Sequence, residues 1–186
     1  MKKLIQLSIL AMALILTGSF FVAAQDNVSM NKNDKMDSKM LNDTDKDFAN
    51  MAAMGGAAEI QWAELALQKS TNKSVKNYAS TMIKTHTKAG KDLEKAALKN
   101  NITLPTTMSD EQMQILNQLQ QATGDEFDKL YIQKAGLEAH HKMEELFVGE
   151  SSAGNNKNLV NFARDNMSTV QTHLQMAEDL AKKLNK

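Results

Sequence analysis

Two of the four histidines in this chain fall where helical periodicity predicts burial. His86 follows Met82 by four residues and His173 follows Val170 by three, so each lies on the apolar side of an amphipathic segment. Burying an ionisable side chain is costly unless the group is neutral, hydrogen-bonded or bound to a metal ion. Both histidines are therefore candidates for a buried polar network or for metal ligation.

The other two histidines, His140 and His141, are adjacent. They follow Leu137 by three and four residues, so at least one of them is predicted to point inward. A further ionisable residue, Glu59, precedes Trp62 by three residues on the apolar side of its own segment. Four segments thus each offer one inward ionisable residue, and the choice between His140 and His141 stays open.

Two more glutamates share helix faces with these adjacent histidines. Glu138 precedes His141 by three residues, and Glu144 follows His140 by four. The Glu-x-x-His spacing is the ligand pair of carboxylate-bridged di-iron bundles, which need the pair on two helices. Because the pair occurs once here, a complete di-iron site is disfavoured.

The inward residues permit two interpretations. A mononuclear site of two or three imidazoles with Glu59 or Glu144 would suit zinc, copper or iron. Alternatively, Glu59 and the histidines form a buried hydrogen-bonded network that fixes the register of the helices, which is the leading interpretation. The candidate metal ligands are Glu59, His86, Glu138, His140, His141, Glu144 and His173.

Four long amphipathic helices must position these side chains. The apolar spacing predicts helices over about 44–70, 75–99, 123–148 and from 157 to the C-terminus. Glycine, serine and asparagine over 149–156 predict a loop between the last two helices.

A short extra helix is predicted between the second and third long helices. Ser109-x-x-Gln112 has the form of a capping box after a loop that contains Pro105, and Thr123-x-x-Glu126 has the same form. The short helix is expected to lead into the third long helix across a kink near Gly124. Long amphipathic helices with short or moderate connections predict an all-α four-helix bundle.

The N-terminus has the pattern of a secretory signal. Two lysines precede an apolar run from Leu4, and small residues end at Ala24, which predicts cleavage of residues 1–24 and no membrane span in the mature chain. Residues 25–46 are rich in Asn, Asp, Lys and Ser and are predicted to be a flexible linker to a bundle domain over 47–186. Export to the periplasm of a two-membrane bacterium is the expectation.

Composition excludes several classes of function. The chain has 22 basic and 22 acidic side chains, which gives no electrostatic reason to bind nucleic acid. It has no cysteine, so packing alone must stabilise the fold. Neither a nucleophilic serine signature nor a glycine-rich phosphate loop occurs, and this argues against hydrolases and nucleotide-binding proteins. The sequence does not identify a protein partner.

Short motifs along most of the chain resemble the exported bacterial domain-of-unknown-function 4142 family. The matching stretches are Ala57-Ala58-Glu59 with Leu65-Ala66, Val75-Lys76-Asn77-Tyr78-Ala79 with Met82-Ile83 and His86, Phe127-Asp128 with Tyr131 and a histidine before Phe147, and Phe162-Ala163 with His173-Leu174. The resemblance implies a ferritin-like bundle and export, but no established activity.

Two positions depart from the pattern of that family. Members commonly carry an acidic residue before the histidine of the second helix, where this chain has Thr85. Their third-helix histidine usually falls about eight residues after the tyrosine, whereas His140 is nine residues after Tyr131. The leading hypothesis is an exported, non-catalytic bundle protein with a buried Glu/His centre. A ferritin-like redox or metal-storage protein of the cell envelope is the alternative.

Overall fold

The computed structural model describes residues 41–186, and its first helix begins at a capping box. The helix α1 spans Asp43–Lys69, where the Asn42 side chain accepts a hydrogen bond from the Asp45 backbone and the Asp45 side chain accepts one from the Asn42 backbone. The predicted linker over 25–46 is therefore corrected at its end, because residues 43–46 form the first turn of α1. The rest of that linker before residue 41, and the predicted signal peptide, lie outside the described residues.

Helices account for the regular structure of the described residues. The remaining elements are α2 (Lys73–Leu98), α3 (Asp110–Gln121), α4 (Gly124–Tyr131), a π-helical segment (Ile132–Glu138), α5 (Ala139–Ala153) and α6 (Lys157–Leu184). The elements α4, the π segment and α5 are continuous and make the third long helix. This confirms the predicted all-α bundle with a short helix, α3, between the second and third long helices.

Two local predictions were wrong and one is confirmed. The capping box of Ser109 and Gln112 forms as predicted, but the Thr123 side chain makes no capping hydrogen bond. Gly124 opens α4 with a φ of 58°, a left-handed backbone angle that suits glycine. The predicted loop over 149–156 is much shorter, because α5 continues to Ala153 and buries Glu150. Packing thus outweighs the low helix propensity of the residues after Phe147.

The long helices pack in a closed ring. The main contacts join α1 to α2, α2 to α6, α6 to α5 and α5 to α1. Their buried side chains form two apolar clusters. One surrounds Trp62, Tyr78 and Phe127, and the other surrounds Phe48 and Phe162. No helix within residues 41–186 is long and apolar enough to cross a membrane.

A buried carboxyl pair ties the start of α1 to the end of α5. Asp45 is fully buried, and its carboxylate accepts hydrogen bonds from the backbone N–H groups of Asn155 and Asn156 at 3.0 and 2.9 Å. Glu150 is also fully buried. Burial and the neighbouring Asp45 raise the pKa of Glu150 to about 8, so Glu150 is mostly protonated at neutral pH.

We expect Glu150→Gln to stabilise the protein increasingly as pH rises from 5 to 8. The folded state of the wild type keeps a proton on Glu150 that the unfolded state releases, so this group's contribution falls by about 1.4 kcal/mol per pH unit in that range. Glutamine is uncharged at all pH values and removes that decline. Denaturant unfolding of both proteins at pH 5, 6.5 and 8 measures the difference. The exposed Glu145→Gln in the same helix is the control, and a pH-independent difference would contradict the expectation.

Candidate metal centre

The predicted inward residues form a polar layer between the two apolar clusters. This polar layer consists of Glu59 on α1, His86 on α2, His140 on α5 and His173 on α6. Along α2, α5 and α6, the histidine of the polar layer lies between the positions that contribute to one cluster and those that contribute to the other. On α1, Glu59 follows Ala58, the first residue of the helix that contributes to the Trp62 cluster. The four side chains therefore meet at one level of the bundle.

Burial is nearly complete for three of these residues. Glu59, His140 and His173 expose only 2%, 1% and 3% of their surface. His86 is half-buried, but its Nε2 atom is fully buried and has no hydrogen-bond partner. The structure thus resolves the choice left open by the sequence, because His140 points inward and His141 is exposed.

The π segment is the reason that His140 faces the layer. Tyr131 and His140 are both buried although nine residues separate them. In a regular α-helix nine residues make about 2.5 turns, which would place the two side chains on opposite faces. The wider turn of the π segment absorbs this offset, and π-helical turns are frequent at functional sites.

The carbonyl of Ala135, within the π segment, orients the His140 ring. His140 Nδ1 lies 2.9 Å from the Ala135 oxygen, and a carbonyl oxygen only accepts hydrogen bonds. Nδ1 therefore carries the proton, and the Nε2 atom of the neutral ring has a free lone pair. Histidines that bind metals use this arrangement, in which the outward N–H is held by a carbonyl or carboxylate.

Thr85 orients His173 in a similar way. The Thr85 hydroxyl lies 2.8 Å from the Thr81 carbonyl oxygen, to which it donates, and 3.1 Å from His173 Nε2, from which it can then accept. With its proton on Nε2, His173 has the lone pair on Nδ1. That Nδ1 atom faces His140 Nε2 at 3.2 Å, so two lone pairs converge.

Converging lone pairs need a cation or a shared proton between them. If no metal binds, His173 must place its proton on Nδ1 and donate to His140, and the Thr85 hydroxyl must turn from Thr81 to His173. With a metal, no side chain has to change its partner. Two nitrogens at 2.0–2.1 Å from a tetrahedral ion lie roughly 3.3 Å apart, close to the 3.2 Å between His140 and His173.

His86 completes a three-histidine group. One ring nitrogen from each of His86, His140 and His173 lies within 4.8 Å of the others. Each pair of rings is in contact, with centroids 5.2 to 5.7 Å apart. Among the His, Asp and Glu residues of the described range 41–186, these three histidines are the group whose ligand atoms lie close enough together to hold a metal ion.

All three histidines are neutral at physiological pH. Burial, together with the nearby His140 and His173, lowers the pKa of His86 to about 3. Burial also lowers the pKa of His140 to about 4, although the Ala135 carbonyl opposes this shift, and it lowers that of His173 to about 4. Neutral imidazole is the form that binds a metal ion, so no proton has to leave these rings first.

Glu59 lies on the far side of the His140 ring from that group. Its Oε1 atom is 3.6 Å from His140 Nδ1, and desolvation raises the pKa of Glu59 well above its usual value. Burial thus raises the pKa of Glu59 and lowers that of His140, and both shifts disfavour an ion pair at this contact. Three buried polar atoms near this contact have no hydrogen-bond partner. They are Glu59 Oε2 and the hydroxyl oxygens of Tyr78 and Tyr131.

The other candidate ligands lie outside the three-histidine group. Glu138 pairs with Lys134 at 2.8 Å, and this contact lowers the pKa of Glu138. Glu144 accepts a hydrogen bond from Gln171, and His141 is exposed. The Glu-x-x-His pair of Glu138 and His141 is therefore not directed into the polar layer.

Sequence reasoning missed Thr85 and the π segment. In the sequence, Thr85 was notable only because members of the similar family commonly have an acidic residue at that position. In the structure, the Thr85 hydroxyl contacts the ring of His173. The π segment left one trace in the sequence, the nine-residue separation of Tyr131 and His140. Neither trace predicts the contact itself without coordinates.

Comparisons with known proteins identify the family and support the fold. Residues 31–180 match the model of a domain of unknown function, DUF4142. A crystal structure of a DUF305 protein from Streptomyces coelicolor, described as secreted, has a TM-score of 0.64 and 14% identity, covering 76% of this chain and 94% of its own. No curated protein matches the chain significantly. The chain belongs to the DUF4142 family.

Proposed function

We propose that this member of the DUF4142 family is an exported, ferritin-like bundle protein that binds one transition-metal ion. The ligands are His86, His140 and His173, and the ion is zinc, copper or iron, the metals that imidazole sites favour. Glu59 acts behind His140, where a bound cation would favour its ionised form. No chemical reaction is part of the proposal.

The facing lone pairs of His140 and His173 carry this proposal. Ala135 and Thr85 each hold the outward N–H of one ring, which leaves His140 Nε2 and His173 Nδ1 directed at each other at 3.2 Å. The buried and unpartnered Nε2 of His86 belongs to a ring in contact with both. An ion in that position would give the buried Nε2 of His86 a partner, and leaving such an atom unpaired costs about 1–3 kcal/mol. It would also bind the facing nitrogens of His140 and His173 without changing the partner of either ring.

Export is the second part of the proposal. The charged, apolar and small-residue pattern of residues 1–24 supports it, and periplasmic location follows if the source has two membranes. The secreted DUF305 protein with a similar fold is consistent with export. A metal-free polar layer that only fixes helix register is the competing account, and it is the alternative outcome of the following test.

We expect untagged wild-type protein to bind about one equivalent of zinc, copper or iron tightly, and His140→Ala and His173→Ala to lose that binding. Each variant removes one of the two imidazoles whose lone pairs converge. Each protein is loaded with one ion at a time and desalted. Mass spectrometry of the remaining metal then gives the number of ions bound per chain. His141→Ala is the matched control, because it removes the adjacent but exposed imidazole.

The competing account makes the opposite prediction. If the polar layer is purely structural, the wild type will hold far less than one equivalent of every metal after desalting. Equal metal content in the wild type and His140→Ala would place the bound ion elsewhere on the chain. Either result contradicts the proposed metal site.

A further inference from the structure

A large cavity reaches the polar layer from one side of the bundle. Its volume is about 610 Å³, and His86, His173 and Thr85 are among its lining residues. A cavity of this size lies within the range of small-molecule sites. His140 does not line it.

The remaining wall of the cavity is largely apolar. Ile60, Leu93, Phe147, Phe162 and Val170 contribute side chains from four different helices. A wall of this kind favours an apolar body, and the two imidazoles offer ring nitrogens to a polar atom of the ligand.

The mouth of the cavity carries little net charge. Lys91 and Glu94 both line the cavity and are exposed, and they carry opposite charges. No excess of either sign is present there to attract an ionic ligand. The occupant that fits is therefore a neutral molecule.

We propose that this cavity binds a neutral, mainly apolar small molecule through one nitrogen or oxygen atom. The apolar body lies against Phe147 and Phe162, and the coordinating atom reaches His86 and His173. This deepens the proposed function and rests on it, because three imidazoles leave a fourth position of a tetrahedral ion for an added ligand. Without metal, the imidazole of His86, which lines the cavity, is the hydrogen-bonding partner.

The test uses 4-phenylimidazole and imidazole as probes, each titrated calorimetrically into zinc-loaded and metal-free protein. We expect 4-phenylimidazole to bind the zinc-loaded wild type at least about tenfold more tightly than imidazole, because its ring becomes buried. Binding of 4-phenylimidazole to metal-free protein should be weaker but saturable.

A variant that fills the cavity distinguishes binding of the imidazole ring of the probe from binding of its phenyl ring. Gly56 lines the cavity, and a Cβ there would meet no atom within 4 Å, so the side chain of Gly56→Leu starts in open space. It should bind zinc and imidazole as the wild type does and lose the tighter binding of 4-phenylimidazole. Gly90→Leu, also in the cavity wall with open space, repeats the test on α2. The control is Gly149→Leu, which is helical with equally open space but outside the cavity.

Each remaining outcome decides the proposal. If zinc binds but 4-phenylimidazole is no tighter than imidazole, or Gly56→Leu and Gly90→Leu both keep its tight binding, the cavity proposal is overturned. If zinc does not bind, the proposed function fails. The cavity proposal is then decided by the binding of 4-phenylimidazole to metal-free protein. Saturable binding of 4-phenylimidazole that both cavity variants abolish then supports it, and no binding overturns it.

Discussion

We expect zinc to raise the melting temperature of the wild-type protein by about 10 °C and to leave that of His140→Ala nearly unchanged. A ligand that binds only the folded state stabilises it by about 4 kcal/mol when its free concentration is a thousand times its dissociation constant. For a domain of this size each kcal/mol corresponds to about 2–4 °C. The geometry supplies the reason, since the ligand atoms come from three helices and converge only when these are in place.

Thermal unfolding followed by circular dichroism, with zinc and then with an excess of chelator, measures this effect. Chelation should return the wild type to its metal-free melting temperature and change His140→Ala little. The control His141→Ala should respond to zinc as the wild type does, because that side chain is exposed. A zinc-induced shift of equal size in His140→Ala would mean that zinc binds the folded chain at another place.

The long helices could be predicted because their apolar spacing is a local property of the sequence. Leu93 and Leu174 lie on the apolar spacing of their helices and are buried, whereas Leu137, used above as an inward position, is only half-buried. Leu137 lies in the π segment, where the rotation per residue differs from that of an α-helix. The prediction failed where the backbone left the regular period on which it was based.

The candidate site was predictable as a set of residue types but not as a geometry. Periodicity placed Glu59, His86 and His173 inward, and the structure brings them to one level together with His140. That level depends on how far the helices slide along each other, and a one-dimensional pattern does not contain this information. For the same reason, spacing alone grouped Glu138 with His141, although the Glu138 carboxylate pairs with Lys134 at 2.8 Å.

Buried carboxyl groups were missed for a related reason. Asp45 lies where the predicted linker and the predicted first helix overlap, and Glu150 lies in a predicted loop. Polar residues in such segments are ordinarily exposed. Burial of Asp45 depends on backbone N–H groups that arrive from residues 155 and 156. Such long-range partners offset the cost of burial and cannot be read from local composition.

The affinity for zinc should fall less in acid than that of a site built from ordinary histidines. Three histidines with the ordinary pKa of about 6.5 would lose roughly a thousandfold in affinity between pH 7.5 and 5.5, because each ring must release a proton. Here the pKa values of His86, His140 and His173 are already lowered to about 3, 4 and 4, so the rings stay neutral throughout that range. We therefore expect the loss to be no more than tenfold per pH unit, from the single proton that Glu59 would release.

Glu59→Gln tests the origin of the remaining pH dependence. Glutamine keeps the shape of the side chain but has no proton to release in this range, so the zinc affinity of the variant should be flat between pH 7.5 and 5.5. Competition with a chelator whose own pH dependence is known measures both proteins, with circular dichroism confirming that each stays folded. If the affinity of the wild type instead falls with the cube of the proton concentration below pH 6.5, the metal-free histidines are protonated and the polar layer is open to water. Such a result would remove the electrostatic basis for a preformed site, since rings that charge in mild acid repel one another and cannot hold the 3.2 Å approach of His140 and His173.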